Sequence, residues 1–230
     1  MIDEALRSDS PGSLVPSFDE SGHGTYAASL AAGSADPEEQ FLGAAPESAL
    51  AVVKLKQAKQ YLQDYYFIPR DTVCYQETDL MLGLRYLNDL ADRLQLPLVI
   101  CITVGTSMGG HIGTLPFPYL IEGYSTKANR ITVIGTGNEA DKRHHYYNRI
   151  ENERDTKTVE VRVGENVTGF FLELWTEIPN ILSISMISPS GENTSRIPFR
   201  VGAGAEIDFL FERTKVSVDY RLLVEKTTSE

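Results

Sequence analysis

Cysteine is almost missing: Cys74 and Cys101 are the only two in 230 residues, too few for a disulfide framework. Cys101 lies in an apolar run and is expected as a buried thiol. No apolar run approaches the roughly 18 residues of a membrane span, and the first residues carry no apolar stretch of the signal-peptide kind. Basic residues are in the minority, 21 Lys and Arg against 32 Asp and Glu, for a net charge of −11. That balance argues against a nucleic-acid partner, because phosphate binding needs clustered Lys and Arg. No His, Cys, Asp or Glu cluster shows a recognisable metal-ligand spacing, so neither a metal nor a cofactor is expected.

What is present is an ordinary globular composition, 42% apolar and 23% charged, with length for one large domain or about two small ones. Ala49–Leu55, a short apolar run bounded by turn residues, reads as a strand buried on both faces. Over Glu77–Leu94 the residues Leu80, Leu84, Leu87, Leu90 or Ala91, and Leu94 recur at helical spacing, and Asp79 near the start suits the helix dipole. Leu98–Val104 and Ile131–Ile134 read as further strands, with a less regular helix between them over Phe117–Lys127, where Pro116 and Pro118 crowd the start. Strands alternating with helices imply an α/β fold with a parallel sheet. From about Lys157 the period changes to two. Val159–Val163, Phe171–Trp175, Leu182–Ile187 and Val216–Tyr220 alternate between turns, the pattern of an antiparallel sandwich. The expected organisation is an α/β domain over residues 1–150 and a β-rich domain over 151–230.

The chemistry concentrates in two stretches. In Ser21-Gly22-His23-Gly24-Thr25 two glycines flank a histidine, and the small residues Ala27, Ala28, Ala31 and Ala32 favour a helix pressed closely on a neighbour, stopped by Gly33. The imidazole then stands at the start of a buried helix, as a general base is presented. A lone histidine of this kind is also commonly structural. In the second stretch, Val133–Glu139, Asn138 follows the carboxyl end of a parallel strand, where open α/β sheets place ligands. A fixed amide there can stabilise an oxyanion as it develops, whereas the plainer reading is a turn asparagine capping its own backbone.

Gly-His-Gly-Thr ahead of a small-residue helix resembles the histidine motif of the subtilisin-like serine proteases, and Gly137-Asn138-Glu139 resembles that family's oxyanion-asparagine motif. The resemblance implies an Asp–His–Ser triad with His23 as base and Asn138 as oxyanion donor. It also implies that Thr103-Val104-Gly105 pairs with the backbone of a protein or peptide substrate, and that Gly135-Thr136-Gly137 lines the pocket for the residue before the cut. Strand ends and turns are the simpler account of both segments.

Gly105-Thr106-Ser107-Met108-Gly109 looks like the family's nucleophile signature and also fits the nucleophile elbow of α/β-hydrolases. Both need a helix directly after the serine, and Gly109-Gly110-His111-Ile112-Gly113-Thr114-Leu115-Pro116 makes a poor one. Ser107 also precedes Asn138, the reverse of the family order. Neither the family's aspartate motif nor its serine motif is found. Asp19 sits only in the loop before His23, and Ser183, Ser185, Ser188, Ser190, Ser195, Ser217 and Ser229 lie in sandwich or turn contexts. The expectation is a partial subtilisin-like core followed by an incomplete jelly-roll-like insert, similar to that of the clostridial germination proteases. The chain is expected to be a fragment, inactive alone, with the acid and nucleophile elsewhere. The alternatives are a non-catalytic binding protein of the same fold and an α/β-hydrolase using Ser107.

Overall fold

The computed structural model describes residues 2–5, 7–202 and 204–223. Two units divide the chain. One runs to Ser107 and resumes over Leu120–Thr158, and the other comprises Met108–Tyr119 and the chain from Val159 onward.

The first unit opens with two single-turn helices, α1 (Ile2–Ala5) and α2 (Pro11–Leu14), followed by α3 (His23–Ala32) and α4 (Gln60–Tyr65). Its organising element is α5 (Glu77–Leu94), with Glu77 and Asp79 in the first turn and Arg93 in the last, each matched to the helix dipole. Gly83, Leu84, Asn88 and Ala91 form its buried face. Asn88 is fully buried, and its side-chain N–H donates to the Leu84 carbonyl at 2.9 Å, which lowers the cost of a polar group there. The stripe is legible in the sequence, although Leu94 at its end is 56% exposed.

β1 (Leu98–Ile102) pairs in parallel with β2 (Arg130–Ile134), from Leu98 opposite Arg130 to Ile102 opposite Ile134. Between them in sequence lies α6 (Pro116–Ser125), which begins on a proline, where the missing N–H costs no helical bond. Ile100 and Ile102 are buried, and β1 packs against α5. Asp92 near the end of α5 binds Lys127 Nζ at 3.2 Å and also Arg130, fastening the helix to the start of β2.

Three expectations need correction in this unit. Ala49–Leu55 joins no ladder among the described residues. It runs extended, with Val53 packed on α5 where a Cβ on Gly83 would meet it at 3.2 Å. Cys101 is exposed, not buried: it alternates with Ile100 and Ile102 and so faces away from α5. The helix α3, expected to be buried, has no buried residue, and its Leu30 is 48% exposed.

In the second unit β3 (Gly204–Phe209) pairs antiparallel with β4 (Thr214–Asp219), in register from Gly204–Asp219 to Phe209–Thr214. Phe209 is buried. Isolated bridges join Ile184 to Ile197 and Ile187 to Asn193, around a turn in which Gly191 N–H donates to the Ser188 carbonyl at 3.0 Å. Glu212 accepts from Ser190 N–H at 2.8 Å, and Glu192 accepts from Phe211 N–H at 3.3 Å, so each turn caps the other. Here too the sequence overreaches. Val159–Val163 and Phe171–Trp175 form no ladder among the described residues, and Val161 and Leu172 are 49% and 65% exposed. Alternation alone makes a segment fit for a sheet; a neighbouring strand must still supply the hydrogen bonds. Val224, Glu225 and Ser229 lie outside the described residues.

Candidate functional site

α3 begins on His23 itself. Gly22, its N-cap, has φ +74°, a left-handed conformation that favours glycine. Asp19 fixes this start. Its Oδ1 accepts from Gly22 N–H at 2.9 Å and from Ser21 Oγ at 3.3 Å. Its Oδ2 accepts from Thr25 N–H at 2.7 Å and Thr25 Oγ1 at 2.8 Å. His23 is therefore spanned by one carboxylate that holds the residue before it and the second residue after it. The Thr25 backbone bond, then its hydroxyl, pull the Asp19 carboxyl down to about 2. Asp19 thus caps the helix, and neither of its oxygens bonds the imidazole. Among the described residues the His23 ring has no hydrogen-bond partner, and His23 is exposed. From the sequence alone Asp19 reads as a loop residue. An acid shortly before a helix start with Thr at its third position was the signal available.

The far end of α3 is held by a close backbone crossing. Ala44 and Ala45 N–H groups donate to the Leu30 and Ala31 carbonyls at 3.0 and 2.8 Å, satisfying terminal acceptors of the helix. A Cβ on Gly43 would lie 2.4 Å from Gly33 N, so the Gly-x-Ala-Pro turn needs its glycine for proximity.

At the carboxyl end of the sheet, the β1–β2 ladder is extended by one bond, from Gly135 N–H to the Ile102 carbonyl at 2.9 Å. Beyond it run Thr103-Val104-Gly105 on one side and Thr136-Gly137-Asn138 on the other. Thr103, Val104 and Gly105 make no backbone hydrogen bond among the described residues, and a Cβ on Gly105 would meet nothing within 4 Å. Gly137 turns the second segment with φ +82°. Asn138 is exposed, and its carboxamide is unpaired among the described residues. The two segments meet again where Ser107 Oγ donates to Glu139 Oε2 at 2.9 Å. His144 Nδ1 lies 3.1 Å from the same oxygen. The Ser107 hydroxyl, then His144, hold the Glu139 carboxyl below its usual range.

The fold thus brings Thr103, Val104, Gly105, Gly135, Thr136, Gly137 and Asn138 to one end of one sheet. No hydrogen bond joins His23 to any of them among the described residues. Ser107 faces a carboxylate, not an imidazole, and no helix follows it until Pro116; a nucleophile elbow has neither feature. Among the described residues no group of three or more His, Cys, Asp or Glu is placed to hold a metal ion, and no helix is long and apolar enough to cross a membrane.

The class of protein that this α/β arrangement resembles is the protease class. The chain is similar to the solved structure of the Clostridium perfringens CspB protease, with 26% sequence identity and a TM-score of 0.70 over 95% of its own length. It spans 43% of the length of that protein. The likeness supports a subtilase-like relationship and a protease-like fold that combines one parallel and one antiparallel sheet. No family model matches the sequence, and no curated protein matches it significantly.

Proposed function

We propose that this chain forms part of a serine endopeptidase of the subtilisin-like class, related to the clostridial germination proteases. His23 acts as general base, taking the proton of a serine and returning it to the leaving amine. Asn138 donates its amide N–H to the oxyanion that forms when the peptide carbonyl is attacked. Thr103-Val104-Gly105 pairs with the extended backbone of a protein or peptide substrate by strand addition. Gly135-Thr136-Gly137 borders the pocket for the side chain before the cut.

The acid and the nucleophile of the triad come from polypeptide outside this sequence, so the chain alone does not hydrolyse peptides. Residues 1–150 belong to the catalytic α/β domain. Residues 151–230 belong to a jelly-roll-like insert lying between the asparagine and serine motifs.

The observation that carries this reading is the pair of segments beyond the Ile102–Gly135 bond, one with a backbone and the other ending on a carboxamide that are unpaired among the described residues. The likeness to CspB over 95% of the chain supports the same class. The test is the coding sequence on both sides of this frame, and then the assembled enzyme. An apolar strand ending in Asp is expected upstream, and a Gly-Thr-Ser motif downstream. In the assembled enzyme His23→Ala abolishes cleavage. Asn138→Ala lowers kcat on the order of 10²–10³-fold with little change in KM, a magnitude established for this donor in subtilisin itself. Flanks holding neither element would overturn the reading.

A second reading, a binding protein that keeps the fold without catalysis, is favoured by one observation. Among the described residues no carboxylate bonds the His23 imidazole, and Ser107 bonds Glu139. Flanks without acid or serine, together with retained peptide binding, would establish it.

A further inference from the structure

Ser107, the serine of the nucleophile-like signature, has no task in the proposed chemistry. Its surroundings supply one. The Ile102 carbonyl and Gly135 N–H close one end of a loop pair at 2.9 Å. Ser107 Oγ and Glu139 Oε2 close the other at 2.9 Å. Between these two bonds lie Thr103-Val104-Gly105-Thr106 along one rim and Thr136-Gly137-Asn138 along the other. The backbone of Thr103–Gly105 is otherwise unpaired among the described residues, and Gly137 has left-handed φ. Among the described residues, then, no backbone bond of Thr103–Gly105 fixes how far apart these rims stand.

We propose that the Ser107–Glu139 hydrogen bond is a tie that sets the width of the cleft and the position of Asn138, with Ser107 and Glu139 acting as positioning residues. The proposal rests on the cleft assigned under Proposed function. Glu139 directly follows Asn138, so the anchor of its carboxylate limits rotation of the preceding peptide. His144 Nδ1, 3.1 Å from the same oxygen, gives the acceptor a second contact. A bond to an ionised acceptor is shorter and stronger than one between neutral groups, and a glutamate carboxyl is ionised at neutral pH. Ser107 keeps its proton in this arrangement and is a donor, not an attacking group.

The test compares the wild-type chain with Ser107→Ala, Ser107→Thr and Glu139→Ala. Backbone 15N order parameters are measured for Thr103–Gly105 and Thr136–Glu139, and affinity is measured for an extended, uncharged hexapeptide amide. Wild-type order parameters near those of rigid backbone, about 0.85, are expected to fall below about 0.6 in Ser107→Ala and Glu139→Ala. Ser107→Thr, which keeps the hydroxyl, restores them. Peptide affinity falls about two- to tenfold in the two alanine variants, the equivalent of one ordinary hydrogen bond, and recovers in Ser107→Thr. The amides of α5 remain unchanged throughout, which separates a positioning effect from general loosening. Unchanged order parameters and peptide affinity in Ser107→Ala would overturn the tie. A wild-type chain that binds no peptide overturns the proposed function instead, and the order parameters alone then decide the tie.

Discussion

Asp19 and Thr25 are joined twice through one oxygen: Thr25 N–H and Thr25 Oγ1 both donate to Asp19 Oδ2, at 2.7 and 2.8 Å. This places a charged clasp around the turn that presents His23, with Gly22 N–H held by the other oxygen of the same carboxylate.

The clasp has a pH signature. The Asp19 carboxyl titrates near 2 in the folded chain, against about 3.9 for an unconstrained aspartate. A depressed carboxyl contributes stability that is fully present above about 3.9 and is lost as pH falls toward the folded value. The start of α3 therefore loosens between about pH 4 and pH 2. Carbon-detected NMR of the Asp19 carboxyl measures the midpoint. Thr25→Ala, which removes one of the two Thr25 bonds, moves it upward.

Glu139 gives a companion shift. Ser107→Ala removes the largest influence holding its carboxyl down, so the Glu139 midpoint rises toward the ordinary carboxylate range in that variant. The same NMR titration reads it.

Ser107 itself is expected to stay unmodified by a fluorophosphonate probe, because its hydroxyl donates to Glu139 and, among the described residues, no imidazole accepts its proton. Mass spectrometry of the treated chain checks this. A stoichiometric adduct on Ser107 would restore the hydrolase reading.

The packing of α5 predicts a contrast between neighbours. Leu84 is 3% exposed and Leu82 63%. Leu84→Ala is expected to cost about 2–5 kcal/mol, and Leu82→Ala to stay within about 0.5 kcal/mol. Denaturant unfolding followed by far-UV circular dichroism gives both values.

Gly43→Val tests the backbone crossing behind α3. Its new Cβ would lie 2.4 Å from Gly33 N, and backbone cannot swing aside as a side chain does. The expected loss is about 1–3 kcal/mol, with increased amide exchange at Ala44 and Ala45.

Long-period signals were legible in the sequence. The Leu80–Leu94 stripe foretold α5 with its observed bounds, because a helix makes its own hydrogen bonds and needs only one partner surface. The parallel pair at Leu98–Ile102 and Arg130–Ile134 was likewise readable. Strands whose hydrogen bonds depend on distant neighbours were not. Ala49–Leu55, Val159–Val163 and Phe171–Trp175 have strand composition and no ladder among the described residues. At the site, glycine spacing foretold that His23 opens α3, and the apolar run Ile131–Ile134 foretold that Asn138 follows β2. The bonds by which Asp19 and Glu139 hold these turns were less legible: Asp19 precedes a helix start, which only hints at a cap, and the cross-loop bond of Glu139 depends on side-chain geometry that spacing does not encode.

The central claim is that His23 and Asn138 serve one peptide lying along Thr103–Gly105. It is tested most directly by titrating the isotope-labelled chain with the extended hexapeptide amide and following 1H–15N and imidazole resonances. The account predicts that the amides of Val104 and Gly105, the Asn138 carboxamide and the His23 ring shift together along a single binding curve. Peptide-induced shifts confined to other surfaces, or His23 unmoved while Asn138 saturates, would contradict it.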